Sequence, residues 1–321
     1  MRRFRFHAFA LAVLCAAPSY AQSFPERPMR MIVPFAPGGI ADIVARIVGQ
    51  KMGETLGQTV VIDNRTGAGG AIAGETVAKA RPDGYTILLC SSSVAVINPL
   101  LAATTPYDPQ RDFAPISLVS YAPFVLLVQP SSPLNSVRDL IAAARAKPGA
   151  ITFGSAGMGS ASHLAGELFK SAAKVDLTHV PYKGTAPAAA ALLAGDIQLS
   201  VDSITAALPH LKSGRLRALG ITARKASALA PDIPTVSDSG VPGFEGITWQ
   251  GMCAPAATPR PVMQVLGKAV AGAVKSPDVA QRFASLGVEG VGNNPEEFRA
   301  FIRSEHARWE KVIREAGIKA K

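Results

Sequence analysis

Met31-Ile32-Val33-Pro34-Phe35-Ala36-Pro37-Gly38-Gly39-Ile40-Ala41-Asp42-Ile43-Val44-Ala45-Arg46 reads as an apolar strand that passes through a Pro/Gly turn straight into an amphipathic helix. The glycine pair leaves backbone N–H groups uncovered by side chains, at the positive end of the helix dipole. Such a junction is an anion site that needs no Lys or Arg. A second one follows later: Phe153-Gly154-Ser155-Ala156-Gly157-Met158-Gly159-Ser160-Ala161-Ser162-His163 again runs from a strand through glycines into a helix. It offers backbone N–H groups and the hydroxyls of Ser155, Ser160 and Ser162. Val180-Pro181-Tyr182-Lys183-Gly184-Thr185 is a third passage of this kind, with Thr185 expected to cap its helix.

Around these junctions short apolar runs alternate with helical stretches. Residues 29–34, 59–62, 85–90, 124–128, 151–153, 177–180, 197–201 and 216–221 read as strands. Residues 40–52, 72–80, 137–146, 162–173, 187–194 and 206–213 read as helices. This alternation predicts an α/β architecture with mostly parallel sheets flanked by helices. After Trp249 the pattern turns helical, over 260–275, 278–286 and 296–316. The last of these carries Phe298, Phe301, Ile302, Trp309 and Ile313 as an apolar stripe, for a membrane surface or for its own domain. Joints at Ala122-Pro123 and Gly240-Val241-Pro242-Gly243 divide the chain into two α/β units and a C-terminal return. Hinge motion is expected near Pro123 and Pro242–Gly246.

Residues 1–21 read as an export signal: Arg2, Arg3 and Arg5, then an apolar run from Ala8 to Ala17, then Ser19-Tyr20-Ala21 as a cleavage site. The run is too short to span a bilayer. The mature chain would start at Gln22 in the periplasm, and roughly 300 residues suggest two domains. The formal charge of +10 falls to about +7 without the leader arginines. The remaining basic residues are scattered without aromatic interleaving, which argues against nucleic acid. Cys90 and Cys253 are the two cysteines of the mature chain, too few for a disulfide framework. Two buried thiols or one disulfide both fit. No Cys/His cluster has zinc spacing, so no metal is expected.

The three strand-to-helix turns converge if they lie at the carboxyl ends of their strands, where open α/β sheets hold ligands. Two such turns on separate domains make a clamp for a small carboxylate, held by amides, hydroxyls and bridging waters. Asp42 can contact a ligand, or it can serve the helix dipole and pair with Arg46 four residues on. Asp202 ends the strand Leu199-Ser200-Val201 and faces the cleft if this topology holds. Ser160 and His163 share one helical face and invite a nucleophile reading. There is no Gly-x-Ser-x-Gly elbow and no third orienting acid, so no catalytic residue is assigned. Gly67-Ala68-Gly69-Gly70-Ala71-Ile72-Ala73-Gly74 lacks the dinucleotide spacing, and no phosphate loop is present. No cofactor is expected.

In order along the chain, these motifs resemble the periplasmic solute receptors of tripartite tricarboxylate transporters, the Bug (Bordetella uptake gene) family. The resemblance is carried by Arg27-Pro28, Ile32-Val33-Pro34-Phe35-Ala36-Pro37-Gly38-Gly39 with Asp42, Asn64-Arg65-Thr66-Gly67-Ala68-Gly69-Gly70 and Pro82-Asp83-Gly84-Tyr85-Thr86. It continues through Gly154-Ser155-Ala156-Gly157, His163-Leu164-Ala165-Gly166-Glu167, His179-Val180-Pro181-Tyr182-Lys183-Gly184 and Gly240-Val241-Pro242-Gly243-Phe244. The resemblance implies a class II, two-lobed Venus flytrap with residues 22–124 and 247–321 in one lobe and 125–246 in the other. It implies ligand contacts from Phe35, Gly39, Ala41, Asp42, Ser92, Ser155, Ala156, Gly159, Ser160, His163, Thr185 and Asp202, to which the turn itself adds Gly38. It further implies a monomeric, non-enzymatic receptor that hands a carboxylate to membrane permease subunits. A secreted Ser/His hydrolase and a ligand sensor for a signalling ectodomain are the competing expectations.

Overall fold

The computed structural model describes residues 24–101, 104–226 and 230–315; the leader read at residues 1–21 lies outside them. Down the first third run β1 (Met29–Val33), α1 (Ile40–Leu56), β2 (Val60–Asn64), α2 (Ala71–Ala78) and β3 (Thr86–Ser91). A π-helical turn, Ser93–Ile97, leads into the single turn α3 (Asn98–Leu101). Next come α4 (Pro109–Asp112) and the long strand β4 (Phe113–Val128). The middle holds α5 (Val137–Ala146), β5 (Thr152–Ser155), α6 (Ala161–Ala173), β6 (Thr178–Pro181), α7 (Thr185–Ala194), β7 (Leu199–Ser203), α8 (Ile204–Lys212) and β8 (Arg217–Ile221). Then β9 (Ile247–Pro255) returns, followed by α9 (Arg260–Lys275), α10 (Pro277–Ser285), β10 (Glu289–Gly290) and α11 (Pro295–Glu315).

The strands pair in the order β2-β1-β3-β9-β4-β7-β5-β6, with β8 and β10 also on β4. The pairs of β1 with β2 and β3, and of β5 with β6 and β7, are parallel. The connecting strands β9 and β4 run antiparallel to their neighbours. β4 serves two sheets: Phe113–Pro123 pairs with β9, and Phe124–Val128 with β7 and β8. Pro115 sits at a register shift, where a missing N–H costs the ladder least. Thr222 fastens the changeover. Its hydroxyl accepts from Phe124 N–H at 2.8 Å and donates to Gly246 O, while its own N–H donates to Phe124 O at 2.9 Å.

Apart from the exposed Arg30, β1 is apolar because helices cover both of its faces. Met29, Met31 and Val33 pack with Val44, Val48 and Met52 of α1, and Ile32 packs with Ala73 and Val77 of α2. α11 lies on its own domain, with Phe298 and Trp309 buried. There the buried Glu305 accepts from the indole N–H groups of Trp249 and Trp309, both at 3.1 Å. Among the described residues no helix is long and apolar enough to cross a membrane. Cys90 on β3 and Cys253 on β9 are buried free thiols, and burial together with the contact between them raises the Cys253 pKa.

Candidate ligand-binding site

Between β1 and α1 the chain needs six residues, Pro34 to Gly39, to turn. The N-cap Gly39 has extended backbone and no side chain to cap the helix. The N–H groups of the first turn, which have no intrahelical acceptor, are therefore left bare. Asp42 holds this turn in place from behind. Its Oδ2 accepts from Gly38 N–H at 3.0 Å and Arg46 Nε at 2.9 Å, and its Oδ1 from Asn64 Nδ2 at 3.2 Å. Asn64 also donates to Phe35 O at 2.8 Å. Burial raises the Asp42 pKa, but Arg46, Gly38 N–H and Asn64 outweigh it and hold the carboxyl below its ordinary value. The Gly38 amide is thus already engaged, by Asp42.

The second turn is more completely satisfied. Ser160 is the N-cap of α6 and accepts from His163 N–H at 3.2 Å. Ser162 Oγ accepts from Ala156 N–H at 2.9 Å. The His163 ring turns to Gly159, whose N–H donates to Nδ1 at 3.3 Å. Ser160 therefore bonds the main chain of His163, and the Ser–His pair of the hydrolase expectation does not form. A different pair does: Ser155 Oγ lies 2.6 Å from His179 Nε2, with Ser155 fully buried. His179 stacks on His163, with ring centroids 4.1 Å apart. Burial, then the nearby Lys170, pushes the His163 pKa down to about 4. Burial, then His163 and Lys170, pushes that of His179 down to about 3. Both rings are neutral near pH 7 and brace the loop behind the cleft.

At the third turn Gly184 is the N-cap of α7, without a side-chain cap, and Thr185 is its first helical residue. The expected cap at Thr185 is displaced by one residue because Gly184, at φ +150°, makes the turn and its missing Cβ leaves room for Ala36. Behind Thr185 lies Asp202, 1% exposed. Its Oδ1 accepts from Ser203 N–H at 2.7 Å, and its Oδ2 has no hydrogen-bond partner. Burial pushes its pKa up to about 6, against the opposing effect of Thr185 and Ser203.

The turns close on one another. Ala36 N–H donates to Lys183 O at 3.1 Å, and Ala161 N–H of α6 to Ser93 Oγ at 3.0 Å. Gly159, at φ +74°, abuts Asn98, and a Cβ there would run into Asn98 Oδ1. Together these turns close around a small pocket of about 30 Å³, room for about one water molecule with the turns this close. Of the residues read from the sequence, Phe35, Gly39, Ala41, Ala156, Ser160 and Thr185 line it. Asp42, Ser92, Ser155, Gly159, His163 and Asp202 are buried outside that lining, and Gly38 is exposed outside it. The expected ligand contacts left out Ser162, though its hydroxyl was noted, and sequence reasoning missed Ile40, Ser93, Phe124, Ala161, Thr248 and Gln250 of the lining. Ile40, Ala161 and Ser162 lie inside the quoted turns and Ser93 follows the expected contact Ser92, whereas Phe124, Thr248 and Gln250 come from the crossing strands and carry no motif signal. No Lys, Arg, Asp or Glu lines the cavity. Among the described residues no group of three or more His, Cys, Asp or Glu is placed to hold a metal ion.

Residues 44–318 match the model of a family described as the tripartite tricarboxylate transporter family receptor. A solved structure of the periplasmic binding protein BugD is 38% identical, with a TM-score of 0.89, covering 93% of this chain and 100% of that one. Rpa4515 of R. palustris, solved with adipate, is also 38% identical with a TM-score of 0.89, covering 92% and 99%. MatC of Rhodopseudomonas palustris, solved with bound malate, is 34% identical with a TM-score of 0.86, covering 90% and 100%.

Proposed function

The chain belongs to the tripartite tricarboxylate transporter receptor family, and on that premise we propose that it captures a small carboxylic acid between two lobes and delivers it to the permease subunits of a tripartite transporter. The observation that carries this reading is the pair of helices α1 and α7, whose N-termini have no side-chain cap and whose first residues line one cavity. Their bare N–H groups and dipoles favour an anion. Serines 93, 160 and 162 add hydroxyls to the wall. Relatives solved with adipate and with malate support a carboxylate as the cargo.

In this reading Phe35, Gly39, Ala41, Ala156, Ser160 and Thr185 touch the ligand. Asp42, Ser155, His163 and Asp202 fix the turns that do. The lobes are residues 22–124 with 247–321, and residues 125–246; the change of partner along β4 after Pro123 supports this division. The protein acts as a monomer in the periplasm, after cleavage near Ala21, and catalyses no reaction. The periplasmic relative supports the compartment.

A thermal-shift screen of mono-, di- and tricarboxylates, amino acids and aromatic acids tests the proposal. A ligand at 100 times its Kd stabilises by about 2.7 kcal/mol, a shift of several degrees. Silence across the panel would overturn the carboxylate assignment. Ester or amide turnover abolished by Ser160→Ala would overturn the non-enzymatic one.

A further inference from the structure

A second cavity lies outside the cleft. It is a groove of about 610 Å³ between α11, α4 and the start of β4. Arg299, Arg303 and His306 line it from α11, and Arg111 faces them from α4. At positions i, i+4 and i+7 the three α11 residues form one stripe, about 10 Å long at the helical rise. Arg111 is engaged by Asp112 at 2.7 Å yet keeps its side chain 72% exposed. Arg299 and Arg303 are exposed. Among the described residues, neither they nor His306 have an ion-pair or hydrogen-bond partner. Elsewhere on the same helix Arg308 is paired, with Glu305 at 3.0 Å. Asp108 also lines the groove and Asp112 answers Arg111, so the charge left unanswered is that of Arg299 and Arg303, over a floor that includes Pro99 and Phe113.

We infer that this groove is a docking surface for an extended, acidic segment of a partner protein. An extended chain places alternate side chains about 6.5 Å apart on one face, close to the roughly 6 Å rise between Arg299 and Arg303. Carboxylates at alternate positions therefore meet successive guanidiniums, which suit them as planar two-pronged donors. The apolar floor takes the backbone and small side chains between. A free small anion would use the charges and leave that floor uncovered. The groove shares no lining residue with the ligand cavity, although the π-helical turn gives Ser93 to the cavity and Ala95 to the groove, so the inference does not depend on the identity of the cargo.

The test uses fluorescence anisotropy of a labelled octapeptide alternating Glu and Ala, with an alternating Gln and Ala peptide as the neutral control. The intact mature protein should bind the Glu peptide at least tenfold more tightly than the Gln peptide, and less tightly as salt rises. The exposed double variant R299E/R303E should lose that preference and gain one for a Lys-Ala peptide. R138E/R282E, with the same change in net charge on other faces, should bind the Glu peptide as the parent does. Melting curves for each variant identify any that fails to fold; in that case R299Q/R303Q replaces the reversal and should lose most of the preference. Equal loss in the two reversed variants would reduce the effect to net charge and overturn the assignment. So would equal binding of the Glu and Gln peptides, or full displacement by millimolar inorganic phosphate, which marks a small-anion site. If the carboxylate screen fails while this binding holds, only the cargo reading falls.

Discussion

Replacing Asp202 by asparagine isolates the carboxyl that the fold holds least comfortably. In the native protein its pKa stands near 6 against an ordinary 3.8, chiefly because burial penalises the charged form. At 1.36 kcal/mol per pH unit, this difference corresponds to about 3 kcal/mol. The folded carboxyl is the weaker acid, so the native state keeps the proton that the unfolded chain gives up. Stability is therefore fully present below pH 3.8, declines as pH rises through about 6, and then stays lower by that amount. The substituted amide cannot ionise and carries no such slope. It has a constant cost instead, because its nitrogen takes the partnerless place of Oδ2, about 1–3 kcal/mol for a buried unsatisfied group. Urea unfolding at pH 4, 5, 6 and 7.5, extrapolated to water for both proteins, measures the difference. Asp202→Asn should be the less stable protein at pH 4 and should gain on the parent by about 2.4 kcal/mol by pH 7.5, the rest of the difference being already lost at pH 4. His163 and His179 titrate in the same range, but they are common to both proteins and cancel in the comparison. A difference independent of pH, or one moving the other way, would refute the assignment of a buried, raised carboxyl at this position.

The histidine pair predicts a slope of opposite sign. Both rings are weaker bases in the fold than in the unfolded chain, so stability should be lost as pH falls from about 6.5 towards 4. H163Q/H179Q should flatten that limb in the same denaturation series; an unchanged limb would show that the rings do not titrate there. Gly159→Ala should weaken ligand binding by more than about tenfold, since a side chain at its positive φ is strained by roughly 1–2 kcal/mol and its Cβ meets Asn98 as the turns close. Lys183→Ala, at an exposed side chain, should change binding by less than about twofold; calorimetry showing it to be the more damaging change would reverse the argument for backbone recognition. Thr222→Val should cost about 1–3 kcal/mol, read by urea unfolding, because Phe124 N–H and Gly246 O lose their shared partner. Full stability in that variant would remove Thr222 as the fastener of the changeover.

The regular elements were legible because their patterns are local. The strand expected at residues 29–34 is β1, and the helices expected at 137–146 and 260–275 are α5 and α9 to the residue. The crossing strands were not legible in the same way. Ala122-Pro123 read as a joint, yet β4 runs through it, as through Pro115, because its partners change or slip register at these prolines. The π-helical turn at Ser93–Ile97 has no sequence period that separates it from a strand end. At the cavity, glycine-rich turns announced where backbone would be exposed, and six residues read from them line the wall. Which polar groups were already engaged could not be read from the same motifs. Asp42 and His163 turn to amides of their own turns, Gly38 and Gly159, and that choice depends on packing from Asn64 and His179, distant in sequence.

The way these groups are engaged bears on how a receptor lets go. With no Lys or Arg in the lining, a carboxylate meets only amides and hydroxyls. In an open, hydrated cleft these barely outcompete water. They become strong only when closure removes the water and lowers the local dielectric. A cation in the wall would hold the anion in the open state as well, and release would be slow. With amide recognition, affinity depends on the closed arrangement secured by Ala36–Lys183 and Ser93–Ala161. Whatever separates those contacts also lowers the affinity. In this receptor reading, opening the lobes and surrendering the cargo are one event.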